Sequence, residues 1–228
     1  SAKVAESDDP RLIKVDDTLQ TLQELARWHR SMTFVDGKPL RVIGLTGTNG
    51  KTTTKELLRE VLSVKYKVTA TEGNLNNSIG VPLTLLKINP NTQIAVVEMG
   101  ASHPGDIKEL VDIALPNFGL ITNVGKAHLL GFGSFEGVKK TKGELYEWIA
   151  GVDGKIFLHT DNPHLVKMAG DLDTIKYGEA GDNFVSGKII SCTPYINVEL
   201  RLNGNASGEK TSYKIETNLI GDYNLSNI

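Results

Sequence analysis

The sequence predicts an α/β domain with a mainly parallel sheet flanked by helices, plus a small antiparallel β-sheet near the C-terminus. Three observations carry this. From residue 41 to about 179, short apolar runs alternate with helix-spaced segments, the pattern of parallel strands joined by crossover helices. A glycine-rich stretch, Gly47-Thr48-Asn49-Gly50-Lys51-Thr52-Thr53, lies between the first apolar run and the first long helix of that series. After Gly181 the character changes. Residues 184–190, 195–202 and 211–219 are β-rich and separated by turn signals such as Asn203-Gly204-Asn205.

In chain order, Leu12 to Val15 reads as a strand-like piece with nothing to pair it, and Asp16 to Arg30 as a helix leading into the first strand. Arg41 to Leu45 is a buried strand. Lys51 to Leu62 places Leu57, Leu58, Val61 and Leu62 on one helical face. Ile94 to Val97 is a second strand, and Asp106 to Ala114 follows it with helical spacing. Phe118 to Val124 is a third strand, Phe135 to Ala150 an amphipathic helix, and Lys155 to Leu158 a fourth strand. A further helical stretch and the run Thr174 to Tyr177 close the alternating series, and Asp222 to Ile228 opens as a helix. These elements divide the chain into residues 1–15, the end of a preceding domain; 16–40, a linker helix and its connection; and 41–228, a central domain.

The bulk numbers narrow the class. The 228 residues suffice for one large domain, and 39% hydrophobic with 23% charged residues is ordinary for a water-soluble chain. A formal net charge of -2 gives no electrostatic reason to expect nucleic acid or an anionic membrane surface as partner. The single cysteine, Cys192, excludes an internal disulfide. No apolar run approaches the ~20 residues of a membrane span, and no basic-then-apolar leader opens the chain. The expectation is a cytoplasmic protein without membrane insertion.

The glycine-rich stretch owes its chemistry to its position. Backbone N–H groups at a helix N-terminus have no intrahelical partner, and the helix dipole favours an anion there. Glycines let the backbone approach phosphates, Lys51 can reach the β- and γ-phosphates, and the Thr52 hydroxyl can hold Mg²⁺. The usual P-loop has four residues between its two glycines. Leu45 occupies the place of the first, leaving the shorter Gly47-x-x-Gly50-Lys51-Thr52.

Other residues at the same sheet edge suit such a site. Glu98 ends an apolar strand at the edge where open α/β sheets bind ligands, and a hard carboxylate suits Mg²⁺. His128 follows the third strand, although a lone loop histidine is more often a plain hydrogen-bonding residue. Lys142, beside Lys139 and Lys140, would ordinarily belong to a solvated helix face. Asn76 and Asn77 read either as turn formers or as phosphate-facing amides. Asn224 and Asn227 suit a helix start, where capping alone would account for them.

The variant loop resembles that of the Mur ligase superfamily. So do Gly73-Asn74-Leu75-Asn76-Asn77-Ser78-Ile79-Gly80-Val81-Pro82, Glu98-Met99-Gly100-Ala101, and Ala127-His128-Leu129-Leu130-Gly131-Phe132-Gly133-Ser134. The segments Lys140-Thr141-Lys142-Gly143-Glu144 and Leu25-Ala26-Arg27-Trp28-His29-Arg30 are also similar to that superfamily, and all occur in its order. Two positions depart from the pattern. Leu130 stands where Glu is common, and Tyr223 where many members have His.

The asparagine-rich loop and the linker helix resemble the branch that joins D-alanyl-D-alanine to UDP-N-acetylmuramoyl-tripeptide. What the resemblance implies is ATP-driven amide bond formation through an acyl phosphate. Thr52, Glu98, His128 and Lys142 are then the ligands of two Mg²⁺ ions, with Lys142 carbamylated by CO₂. Asn76 and Asn77 face the γ-phosphate and the substrate carboxylate, and Asn224 and Asn227 approach the adenine. Residues 1–15 would be the tail of a UDP-sugar-binding domain, and the family's C-terminal domain would be absent. A monomer that binds ATP weakly and does not turn over is expected. The rivals are another ligase of the superfamily, such as folylpolyglutamate synthase, and a P-loop nucleotide switch. A GTP switch is disfavoured because no Asn-Lys-x-Asp follows the later strands.

Overall fold

The computed structural model describes residues 9–126, 129–203 and 211–228. Helix α1 (Thr18–Ser31) begins at Asp17, whose extended backbone lets its carboxylate accept from the amides of Leu19 and Gln20. A short hairpin follows, β1 (Phe34–Val35) and β2 (Lys38–Pro39), turned by Asp36 and Gly37, both at positive φ. The main series is β3 (Arg41–Thr46), α2 (Lys51–Ser63), β4 (Val68–Ala70), α3 (Gly80–Leu85), β5 (Ile94–Glu98), α4 (Asp106–Ala114) and β6 (Phe118–Ile121). It continues through α5 (Leu129–Phe132), α6 (Phe135–Gly151), β7 (Lys155–His159), α7 (Pro163–Ala169) and β8 (Thr174–Gly178). Strands β9 (Val185–Ser191), β10 (Asn197–Leu202) and β11 (Thr211–Glu216) precede a 3-10 turn, Asp222–Asn227.

Nine strands form one sheet in the order β11-β10-β9-β8-β7-β6-β3-β5-β4. Pairing is parallel from β4 through β9 and antiparallel from β9 to β11. The expected antiparallel strands are therefore an extension of the main sheet, entered through a parallel β8–β9 pair. Alternation along β3 decides the two faces. Val42 joins the larger core with Val97, Ile107, Leu110, Leu145 and Ile149, while Ile43 packs with Ile94, Val96, Leu58 and Leu62 of the α2 side. Leu145 is completely buried, a contribution of roughly 2 kcal/mol. A side chain at Gly119 would press on Ile149, so the glycine lets α6 lie close to β6.

Three local expectations are corrected. Leu12 to Val15 is unpaired chain, because among the described residues no strand lies alongside to supply a ladder. Asp222–Asn227 is a 3-10 turn instead of the start of an α-helix. The third strand stops at Ile121, and Thr122 to Val124 leave the sheet to make loop contacts. Within the strand-poor stretch after α2, β4 and the six-residue α3 are too short to show a period. Residues 204 and 205 of the expected turn lie outside the described residues. Among the described residues, no helix is long and apolar enough to cross a membrane.

Candidate nucleotide-phosphate and metal site

The loop after β3 is shaped by two glycines. Gly47 (φ 150°) lies against the Thr122 hydroxyl, where a Cβ would collide. Gly50 (φ 79°) is the N-cap of α2 in the left-handed region and offers no side chain to the helix. The first helical bond runs from Thr54 N–H to Gly50 O at 2.9 Å. The amides of Lys51, Thr52 and Thr53 thus have no carbonyl one turn earlier in the helix, and they form the anion-attracting end. The amides of Thr48 and Asn49 are used differently, donating to Asn123 O and Asn123 Oδ1, both at 3.0 Å.

Lys51 folds back over the loop and donates to Gly47 O at 2.9 Å and Thr48 O at 3.3 Å. Burial pulls its pKa down, and the negative charge of Glu98 opposes that shift. Glu98 ends β5 with only 1% of its surface exposed. Its Oε1 accepts from Asn76 Nδ2 at 2.9 Å and its Oε2 from the Thr52 hydroxyl at 3.3 Å. Among the described residues, no Lys, Arg or His reaches it within ion-pair distance. A buried carboxylate beside a hydroxyl, with no cationic side chain paired to it, has the chemistry of a divalent-cation ligand.

Lys142 projects from the buried side of α6, not from a solvated face, with 4% of its surface exposed. Its ammonium lies 6.0 Å from the Phe132 ring centroid. Burial, with a smaller push from the charge of Lys51, lowers its pKa from 10.5 to about 8. The fold has therefore brought Lys51 and Lys142, 91 positions apart in sequence, within electrostatic reach. His128 lies outside the described residues. Among those described, no three His, Cys, Asp or Glu side chains converge as a metal cluster.

Both loop amides are engaged within the protein. Asn76 sits on Glu98, while Asn77 Oδ1 accepts from the amides of Ile79 and Gly80 and shapes the entry to α3. Asn227 lies under the first turn of α2: its Oδ1 accepts from the Thr54 hydroxyl at 3.3 Å and blocks any side chain at Gly50. Its Nδ2 donates to Asn224 Oδ1 at 2.9 Å. Beside this pair, a cavity of about 680 Å³ opens between α2, β7–β10 and the 3-10 turn, lined by Leu57, Phe157, Tyr177, Leu200 and Tyr223.

Sequence reasoning overlooked the polar pair Thr122-Asn123 by reading it as strand. The Thr122 hydroxyl donates to Asn49 O at 2.6 Å, and Asn123 Nδ2 donates to the same oxygen at 3.0 Å. The available signal was two polar residues directly after an apolar run at the ligand edge of the sheet.

A parallel sheet with a glycine-shaped loop leading from β3 into an uncapped helix N-terminus defines a P-loop α/β domain. Residues 45–228 match the Mur ligase middle domain, and the chain belongs to that family. It is 42% identical over 172 residues to the UDP-N-acetylmuramoyl-tripeptide–D-alanyl-D-alanine ligase of Bacillus subtilis, covering 75% of this chain and 36% of that protein. Among solved structures it resembles MurF from Acinetobacter baumannii, with a TM-score of 0.81 and 31% identity over 97% of this chain and 48% of that one. MurF ligase from Thermotoga maritima in complex with ADP is similar at a TM-score of 0.78 and 31% identity, covering 97% of this chain and 49% of that one. The chain thus spans between a third and a half of the length of these relatives.

Proposed function

We propose that this chain is the ATP-binding unit of a ligase that joins D-alanyl-D-alanine to UDP-N-acetylmuramoyl-tripeptide. The observation that carries this reading is the meeting of Glu98, Thr52 and the open N-terminus of α2 at one sheet edge. Its family and its similarity to UDP-N-acetylmuramoyl-tripeptide–D-alanyl-D-alanine ligases supply the substrate classes. Residues 1–15 would close a UDP-sugar-binding domain, 16–40 link it, and 41–228 form the central unit of a cytoplasmic, monomeric enzyme.

The residues fit nucleotide and metal. The amides of Lys51, Thr52 and Thr53 would hold phosphate oxygens, and the Lys51 ammonium would leave its carbonyl partners to neutralise them. Thr52 and Glu98 would hold one Mg²⁺, with Asn76 fixing the carboxylate by its hydrogen bond. When bound, the metal neutralises charge on the transferring phosphoryl group. His128 and Lys142 would serve a second ion. A half-neutral Lys142 near pH 8 is a nucleophile for CO₂, and its carbamate would turn a buried cation into an anionic ligand. Asn77 would approach the reacting carboxylate, and Asn224 and Asn227 the adenine end.

The test is phosphate release by the full-length protein given ATP, Mg²⁺ and UDP-N-acetylmuramoyl-tripeptide, with and without D-alanyl-D-alanine. Release that requires both acceptors and disappears in Lys51→Ala is the expected outcome. Release with neither acceptor would replace this reading with that of a nucleotide switch. The 228-residue chain alone is expected to bind nucleotide weakly and release no phosphate, and measurable turnover by it would contradict the assigned domain organisation.

A further inference from the structure

We infer that Asn123 is a positioning residue for the phosphate loop, one that sets the loop's shape without touching the nucleotide. The inference rests on the nucleotide-binding reading above. Asn123 lies just past the end of β6, and its carboxamide meets the backbone of Asn49 twice. Oδ1 accepts from Asn49 N–H and Nδ2 donates to Asn49 O, both at 3.0 Å. A side chain thereby satisfies both backbone polar groups of one loop residue, as a neighbouring strand would. Its own carbonyl takes the Thr48 amide at 3.0 Å, and Gly125 N–H donates to the Thr48 hydroxyl at 2.9 Å. Thr122 adds its hydroxyl to Asn49 O at 2.6 Å.

This arrangement separates the loop amides into two sets. Those of Thr48 and Asn49 are spent on the segment after β6, and those of Lys51, Thr52 and Thr53 are left for an anion. The three residues between Gly47 at φ 150° and Lys51 at the helix start hold little intrinsic shape, and the last of them, Gly50, is again a glycine. Without the clamp, the Asn49 peptide can rotate and carry Gly50 with it. The free amides would then no longer point in one direction before phosphate arrives, and ordering them would be charged to binding. Oxygen and nitrogen of the carboxamide are both needed, so aspartate, of the same shape, cannot substitute. It keeps the acceptor for Asn49 N–H and turns a carboxylate oxygen toward Asn49 O.

The experiment compares full-length wild type, Asn123→Ala and Asn123→Asp by direct binding of ADP, by KM for ATP and for the two acceptors, and by melting temperature. Both variants should weaken ADP binding about tenfold to fiftyfold and raise the KM for ATP alike, since each lost hydrogen bond is worth a severalfold change. KM for the acceptors should stay within about threefold, and Asn123→Ser, which retains one short polar group, should recover part of the ADP affinity. Unchanged ADP affinity in folded variants would overturn the inference alone. So would equal losses for ATP and both acceptors accompanied by a lower melting temperature, the signature of a general packing role. Should Asn123→Ala fail to fold, Asn123→Asp decides. A wild type that does not bind ADP would instead sink the nucleotide reading on which this rests.

Discussion

At the scale of single residues, the buried ammonium of Lys142 is where charge and stability meet. Its folded-state pKa of about 8 lies below the ordinary 10.5, chiefly because α6 buries it, and the difference corresponds to about 3 kcal/mol of unfavourable burial. A lysine depressed in the folded state binds fewer protons there than in the unfolded chain between pH 8 and 10.5. Stability therefore rises with pH across that window, and the cost is fully present below pH 8. In CO₂-free buffer, Lys142→Met should raise unfolding free energy at pH 7 by up to ~3 kcal/mol, with the gain shrinking toward pH 10. Urea unfolding at pH 7 and 9.5 checks this. A loss of stability at pH 7 would mean that the ammonium is compensated. With ¹³C-bicarbonate, a carbamate resonance should grow as pH rises through 8 in wild type and be missing in the Met variant.

Helices α4 and α6 are joined by a cap that neither helix supplies for itself. Gly105, the N-cap of α4, has no side chain to offer, and Glu144 of α6 takes its place. The two carboxylate oxygens of Glu144 accept from Gly105 N–H at 3.0 Å and Lys108 N–H at 2.8 Å. A carboxylate at a helix N-terminus gains from both the free amides and the dipole. Glu144→Ala should cost about 1–2 kcal/mol in chemical denaturation. A variant as stable as wild type would show that water replaces the cap without penalty. The sequence placed both helices correctly, yet nothing in their periods indicated that one would cap the other.

For the molecule as a whole, the sheet is unevenly covered. All five residues of β5 are buried, and β3 is buried from Val42 to Thr46, whereas β11 is mostly exposed. Helices cover both faces of the centre, while the antiparallel end has the 3-10 turn against β9. Hydrogen exchange should therefore be slowest in β3, β5 and β6, and at least tenfold faster in β10 and β11. Equal protection across all nine strands would show that the antiparallel end is part of the same cooperative unit.

The alternation of apolar runs with helical spacing was enough to determine a parallel α/β sheet, because strands buried on both faces and amphipathic crossover helices each leave a local period. The loop Gly47 to Thr53 was equally legible, since glycines, lysine and threonine at a strand-to-helix junction encode their chemistry in adjacent positions. Short elements such as β4 and α3 left too few residues to show a period, and Leu12 to Val15 had strand composition but no neighbour among the described residues to pair with. Only tertiary structure decided that Lys142 is buried within electrostatic reach of Lys51, that Glu98 has Asn76 and Thr52 for company, and that Asn123 grips Asn49. Each of those is a meeting of residues far apart in the chain. Burial, field strength and two-point hydrogen bonding depend on such meetings, and no local pattern records them.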